Sequence, residues 1–179
     1  MAVLCIDSSR LSLVAATLRH VEAELEGAAS LAVLIGAAVP ASWPPGEYDR
    51  NAQEYFRDRL AAASPADAGW FGWYAITDSA PFTTPTLVAA AGFVGPPDAD
   101  GTAEIGYSVV PEATGLGFAT EAVQALLAWA LRSGASRVIA HTTPSNEASV
   151  AVLHRCGFLE EGPGPDPGTV RFAAGPPAG

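Results

Sequence analysis

The sequence has no lysine: all nine basic side chains are arginine, set against nineteen Asp and Glu for a formal net charge of -10 over 179 residues. A field of that sign repels nucleic-acid phosphates and anionic headgroups and draws in amines and basic peptides, so neither nucleic acid nor membrane is expected as a partner. The missing lysine also excludes a Walker-type phosphate loop, which needs Gly-Lys-Ser/Thr. Cysteine is nearly as scarce. Cys5 and Cys156 stand far apart with no Cys-x-x-Cys, which removes a disulfide framework and a zinc cluster and points to a reducing, cytoplasmic setting. Long apolar runs are absent too. Asp7 and Arg10 interrupt the start where a signal peptide needs a basic lead and an unbroken apolar run, and the weakly apolar stretch Ala28 to Val39 is too short to cross a bilayer.

What remains is a chain of 49% hydrophobic residues, long enough for one well-filled core and short for two. No repeat or linker divides it, so a single domain over 1–174 is expected, followed by a frayed tail from Gly175. Leu11, Leu13 and Ala15 alternate as a first strand. The period then shifts to 3.6 through Leu18, Val21 and Leu25. A second helical piece lies around Ser30 to Gly36, and a proline-rich loop holding Trp43 follows. Asp49 is placed to cap a third helix to about Ala63, with Tyr55, Phe56 and Leu60 as its apolar face. From Trp70 to Thr77, Thr86 to Val94 and Glu104 to Val110 the pattern is an antiparallel meander. An amphipathic helix with Val123, Leu126, Leu127, Ala130 and Leu131 on one stripe leads to a strand at Arg137 to Thr142, the spacing of a parallel crossover. A helix from Asn146 to Cys156 and strands at Phe158 to Glu161 and Thr169 to Ala174 close the chain. The fold class is α/β (α+β by some schemes), with a mixed sheet of about seven strands flanked by helices.

Val110 to Glu121 is the most informative stretch. Gly115 and Gly117 let the backbone turn tightly, and the helix that begins near Phe118 leaves its first N–H groups unpaired and pointing into the loop. With the positive end of the helix dipole they form a phosphate site that needs no lysine. Taken alone, Gly-x-Gly reads first as an ordinary strand-to-helix turn. A dinucleotide fingerprint fails because Thr120 stands where the third glycine belongs and no acidic residue closes the Arg137 to Thr142 strand.

Two segments in this order resemble the GNAT superfamily of acetyl-CoA-dependent N-acetyltransferases. Ala103 to Ala122 looks like its strand, pyrophosphate loop and helix start, and Asn146 to Phe158 looks like its Asn-x-x-Ser helix closing in Gly-Phe. The likeness runs from Glu104 to Gly162 and is greatest to the branch of ribosomal-protein alanine N-acetyltransferases and small-molecule relatives. It implies a sheet splayed between its fourth and fifth strands, acetyl-CoA as donor, no metal, and an acceptor that is an amine-bearing small molecule or a protein N-terminus. A homodimer through sheet edges or the C-terminal strand is among the assemblies it implies. The family's loop pattern of Arg or Gln, two residues, Gly, one residue, then Gly or Ala falls on Thr114, Gly117 and Ala119, so Thr114 departs from it. The cofactor residues implied are Ser108, Val109, Val110, Thr114, Gly115, Leu116, Gly117, Phe118, Ala119, Thr120, Asn146 and Ser149.

Acetyl transfer to an amine needs a held pantetheine arm, a neutral amine, a stabilised oxyanion and a proton for the leaving thiolate. By the resemblance, Ser108 to Val110 pair their backbone with the pantetheine as an added strand, although an ordinary buried strand reads the same. Glu104, on the face of Val110 by the period of two, is either the proton acceptor or a solvated strand-end charge. Tyr107 falls on the opposite face as core or substrate wall. Asn146 and Ser149 share a helix face, where capping is the competing role. Many family members carry a tyrosine where Leu153 stands, and Ser149 is the proton donor that similar relatives offer instead. His141 ends a strand near the site, while His20 and His154 read as surface residues. Cys156 reads as a buried small hydrophobe. Trp43, Trp70 and Trp73 line an acceptor pocket or simply pack, and Arg132 and Arg155 are candidates for the CoA 3′-phosphate. A module of the same fold that binds acyl-CoA or a protein without turnover is the alternative, and an acyl group longer than acetyl is a third reading.

Overall fold

The computed structural model describes residues 3–175; the expected tail beyond Gly175 lies outside them. Eight strands form one mixed sheet in the order β1-β2-β3-β4-β5-β6-β8-β7. They are β1 Cys5–Asp7, β2 Ser12–Ala15, β3 Gly72–Thr77, β4 Thr86–Phe93, β5 Thr102–Val109, β6 Arg137–Thr142, β7 Leu159–Pro163 and β8 Val170–Ala174. The eighth, unexpected strand is β1. Its three residues are too few to display an alternation, and it is held by antiparallel pairing of Cys5 with Val14 through Asp7 with Ser12.

Among the described residues five helices cover the sheet: α1 Leu18–Glu26, α2 Ala28–Ile35, α3 Arg50–Ala62, α4 Phe118–Arg132 and α5 Glu147–Arg155. On one face α4 lies over β4, β5 and β6, with α5 beside it. There Val123, Leu126 and Ala130 of α4 meet Phe93, Ile105, Val138 and Phe172 in the larger core. On the other face a smaller core joins Val21 and Leu31 to Tyr74, Ile76 and Leu87, which seats α1 and α2. Among the described residues no helix is long and apolar enough to cross a membrane.

Two local expectations are corrected. The side of α3 turned to the protein is led by Gln53 at 5% exposure, whereas Tyr55 is 41% exposed. Phe56 and Leu60 are half-buried. Leu60 packs against the smaller core as expected, but the most buried side chain of the helix is polar, and the apolar spacing misplaces Tyr55. His20 is buried at 6% exposure rather than on the surface. Its Nδ1 accepts from the Thr17 N–H at 3.2 Å, a capping role usually given to Glu or Gln, and its ring meets Tyr74 edge-on. Asp49 caps α3 as expected, its Oδ1 accepting from the Ala52 N–H at 3.0 Å.

The sheet parts where the site is expected. β5 pairs in parallel with β6 only at Thr102, Ala103 and Glu104, against Arg137, Val138 and Ile139. Beyond Glu104 each strand follows a different neighbour. β5 stays with β4 to Val109, and β6 stays with β8 to Thr142, so a wedge opens between them. With β1 added to the count, the expected gap between the fourth and fifth strands is the one between β5 and β6.

Candidate active site

The wedge exposes backbone on one edge of β5. Hydrogen-bonded pairs alternate along an antiparallel ladder. The Val110 N–H donates to Val88 O at 2.9 Å and the Val94 N–H to Glu104 O at 3.0 Å. That phase turns the N–H and C=O of Glu104, Gly106 and Ser108 and the N–H of Val110 toward β4, and the N–H and C=O of Tyr107 and Val109 toward the opening. Of the three residues expected to offer backbone to a bound arm, Val109 is the one whose peptide groups face it. Val110 is fully buried in the α4-side core rather than sharing the face of Glu104, because the strand has ended at Val109.

After β5 the chain makes a short 3-10 turn at Pro111–Ala113 and enters α4 through Gly115 and Gly117, with φ of +77° and +84°. Only glycine takes that left-handed region without strain. Gly117 caps α4 with no side chain, and the first intrahelical bond is from the Glu121 N–H to Gly117 O at 3.1 Å. Among the described residues, no protein group accepts from the N–H groups of Gly115 through Thr120. Six donors at a positive helix end form a ready anion site. Thr114 turns its hydroxyl back to Val110 O at 3.3 Å, and the guanidinium of Arg10 lies against the loop, donating to Leu116 O at 3.0 Å.

On the α1–α3 face, Glu104 Oε1 lies 2.8 Å from His141 Nδ1 of β6. The Arg171 Nε–H of β8 donates to His141 Nε2 at 3.3 Å. Arginine only donates, so Nε2 must accept and the imidazole proton sits on Nδ1, directed at the carboxylate. Arg171, His141 and Glu104 therefore form one donor chain across β8, β6 and β5. On the opposite face the Tyr107 hydroxyl spans the wedge to α5, 2.9 Å from Ser149 Oγ and 3.1 Å from Ser149 O. Burial raises the Tyr107 pKa, with the Ser149 hydrogen bond only partly opposing it, so the phenol keeps its proton at neutral pH. Asn146 acts as the cap of α5, accepting from the Ser149 N–H at 3.2 Å. Burial pushes the Cys156 thiol up to about 11, which makes it a poor nucleophile.

A pocket of about 170 Å³ opens beside β5 on the α1–α3 face, between Tyr48 and Phe56 on one side and Tyr74, Ala91, Gly106 and Ser108 on the other. Beneath it lies a carboxylate that the sequence did not single out. Glu24 Oε1 accepts from Trp43 Nε1 at 2.6 Å and Gln53 Nε2 at 2.9 Å, and Oε2 accepts from the hydroxyls of Tyr74 at 2.7 Å and Tyr48 at 3.0 Å. This hub ties α1, the Trp43 loop, α3 and β3 together, and it is what buries Gln53.

Glu104, Ser108 and Val109 are thus gathered at the wedge, with Ser149 facing it from α5 and Gly115 to Thr120 at its end. Leu153 is fully buried and Trp70 packs with Phe93 and Trp129, while Trp43 serves the Glu24 hub. Trp73 borders the pocket, though buried at 1% exposure. Arg132 ends the fifteen-residue α4, about 20 Å from the loop at its start. Arg10, Glu24, Tyr48 and Arg171 were missed because each reaches its partners from a distant segment. For Tyr107, the alternation with Glu104 gave the face but not the hydroxyl's partner.

Residues 10–159 match the acetyltransferase (GNAT) domain family. The uncharacterized N-acetyltransferase YjdG of Bacillus subtilis (strain 168) is 29% identical over 126 residues, spanning 70% of this chain and 71% of its own. The ribosomal-protein-S5-alanine acetyltransferase of Vibrio fischeri shares the fold at a TM-score of 0.65 and 15% identity, over 96% of each chain. Mycobacterium smegmatis RimJ, solved in complex with CoA-disulfide, does so at 0.60 and 19% identity, over 93% of this chain and 82% of its own.

Proposed function

The chain belongs to the GNAT acetyltransferase family, and on that premise we propose that it moves the acetyl group of acetyl-CoA directly to a primary amine, on a protein N-terminus or a small amine metabolite. The observation that carries this reading is the meeting, at one wedge, of six open backbone donors after β5, the free peptide edge of Val109, and Glu104 with its donor chain. Acetyl-CoA, when bound, supplies the acyl group as a thioester reactive toward amines. The N–H groups of Gly115 to Thr120 hold its diphosphate, and Val109 pairs with the pantetheine arm as a short added strand. The open N–H at Val109 is also the donor to the carbonyl oxygen as charge develops there.

The acceptor enters the pocket beside β5, past the carboxylate of Glu47 at the rim and over the buried Glu24, a setting that favours a cationic amine. Glu104 takes the proton that makes the amine nucleophilic, and His141 fixes the carboxylate's orientation. Tyr107 and Ser149, sharing a hydrogen bond on the opposite side of the wedge, return a proton to the thiolate. Transfer is direct, because the buried Cys156 thiol is held protonated and, among the described residues, neither serine at the wedge, Ser108 or Ser149, has a carboxylate or imidazole as its hydrogen-bond partner.

Calorimetric titration with acetyl-CoA, followed by thiol-release assays over amines, N-terminal peptides and longer acyl-CoAs, tests the reading. Binding with turnover on an amine supports it. Binding without turnover on any acceptor assigns a non-catalytic module, and absence of binding removes both.

A further inference from the structure

We propose that Arg10 is the cation of the diphosphate loop, reaching from the β1–β2 turn to supply the charge that the loop's own sequence lacks. The inference rests on the acetyl-CoA reading above and deepens it. From Val110 to Glu121 the chain contains no basic residue and two carboxylates, Glu112 and Glu121. Glu121 lies in the first turn of α4, beside the donors that are to hold two phosphates. Unneutralised, it would repel the ligand these donors attract.

Arg10 answers that conflict through four contacts. Its Nε–H donates to Glu121 Oε2 at 2.8 Å and its backbone N–H to Glu121 Oε1 at 2.6 Å. Its Nη1 donates to Leu116 O at 3.0 Å, and its guanidinium carbon sits 4.6 Å from the centre of the Phe118 ring. The group lies so close to Gly117 that a Cβ there would come within 3.3 Å of Nη2. Nη2 has no hydrogen-bond partner among the described residues, and the side chain is 38% exposed. An anion seated on the loop would meet a fixed fork with donors to spare.

The turn carrying Arg10 is itself pinned. Ser8 N–H donates to Leu11 O at 2.8 Å, Ser8 Oγ donates to Glu121 Oε1 at 2.8 Å, and Thr77 Oγ1 donates to Arg10 O at 2.7 Å. The guanidinium is therefore held before any ligand arrives, and the ordering cost on binding is small. Thr114, at the family's Arg or Gln position, is exposed and bonded back to Val110 O, which leaves the role open for a residue from elsewhere.

The test compares acetyl-CoA with S-acetylpantetheine, which keeps the thioester and arm but lacks the diphosphate and adenosine. Arg10→Gln is expected to raise the Kd and KM for acetyl-CoA about tenfold, as loss of a charged hydrogen bond does, while kcat and the KM for S-acetylpantetheine hold. Adding Thr114→Arg to Arg10→Gln is expected to recover most of the lost acetyl-CoA affinity. If thermal unfolding shows that Arg10→Gln does not fold, Arg10→Lys gives the same comparison with a loss of about threefold, since lysine keeps the charge and loses the fork. An unchanged Kd for acetyl-CoA, an equal loss with both thioesters, or no recovery from Thr114→Arg overturns the proposal. A wild-type protein that binds no acetyl-CoA overturns the functional reading instead, before Arg10 is touched.

Discussion

Replacing Glu24 sets two sizeable effects against each other. The carboxylate is 7% exposed with no cation in contact among the described residues, and burial raises its pKa despite four hydrogen bonds that lower it. Glu24→Leu relieves that desolvation, yet orphans four donors. Gln53 and Tyr74, at 5% and 1% exposure, cannot turn to water, and each costs about 1–3 kcal/mol when left unsatisfied. Trp43 and Tyr48 are half-buried and cost less. The sum, reduced by the desolvation relief, is a loss of about 3 kcal/mol. Glu24→Gln keeps one oxygen, and the tyrosine hydroxyls can rotate to accept from the new amide, so its loss is about 1 kcal/mol. Urea unfolding followed by far-UV circular dichroism at pH 7 reads both, with unchanged slopes as the check that the end states are the same. The sign of the pH dependence follows from the raised pKa. The folded state binds the Glu24 proton more tightly than the unfolded chain, so this group's contribution is full below the unfolded pKa and declines as pH rises through the folded one. The stability difference between wild type and Glu24→Gln should therefore shrink with rising pH. A Glu24→Leu protein as stable as wild type, or more so, would refute the idea that this hub holds α1, α3 and the Trp43 loop over the sheet.

Glu104→Gln should lower kcat/KM by about 10²-fold or more with the Kd for acetyl-CoA unchanged, as kinetics and calorimetry can check. Tyr107→Phe and Ser149→Ala each remove one side of a shared hydrogen bond, so the loss in kcat for the double variant should fall short of the product of the single losses. For Glu121, partial burial pushes the pKa up, but hydrogen bonds from Ser8 and from the Arg10 backbone and side chain outweigh it and the balance is downward. Its contribution to stability is thus present above the usual glutamate value of about 4.3 and lost as pH falls through the folded value. Urea midpoints of wild type and Glu121→Gln should converge in acid; parallel curves would remove the effect.

The sheet was legible in the sequence wherever alternation ran long enough to show a face. Leu11 to Ala15 and the strand before the glycine loop declared themselves, while the three residues of β1 could not. The loop at Gly115 and Gly117 was readable because its chemistry is local: two left-handed glycines and a helix start. The supporting side chains were not, for the opposite reason. Arg10 meets Glu121 across 111 positions, Glu24 meets Tyr74 across 50, and Arg171 meets His141 across 30. Such pairs are created by topology, and no spacing rule reports them. Gln53 shows the same limit from the other side. Its helix carries Tyr55, Phe56 and Leu60 at apolar spacing, but an amide facing a buried carboxylate decides which side turns inward.

The central claim is that the backbone donors from Gly115 to Thr120 hold a diphosphate while Val109 pairs with the arm attached to it. Recording backbone amide ¹H–¹⁵N shifts during titration with acetyl-CoA tests this most directly. Saturable downfield shifts at Gly115 to Thr120 and Val109, with the loop shifts absent when S-acetylpantetheine is used, are the expected result. Binding that leaves those amides unmoved, or moves a different surface, would contradict it.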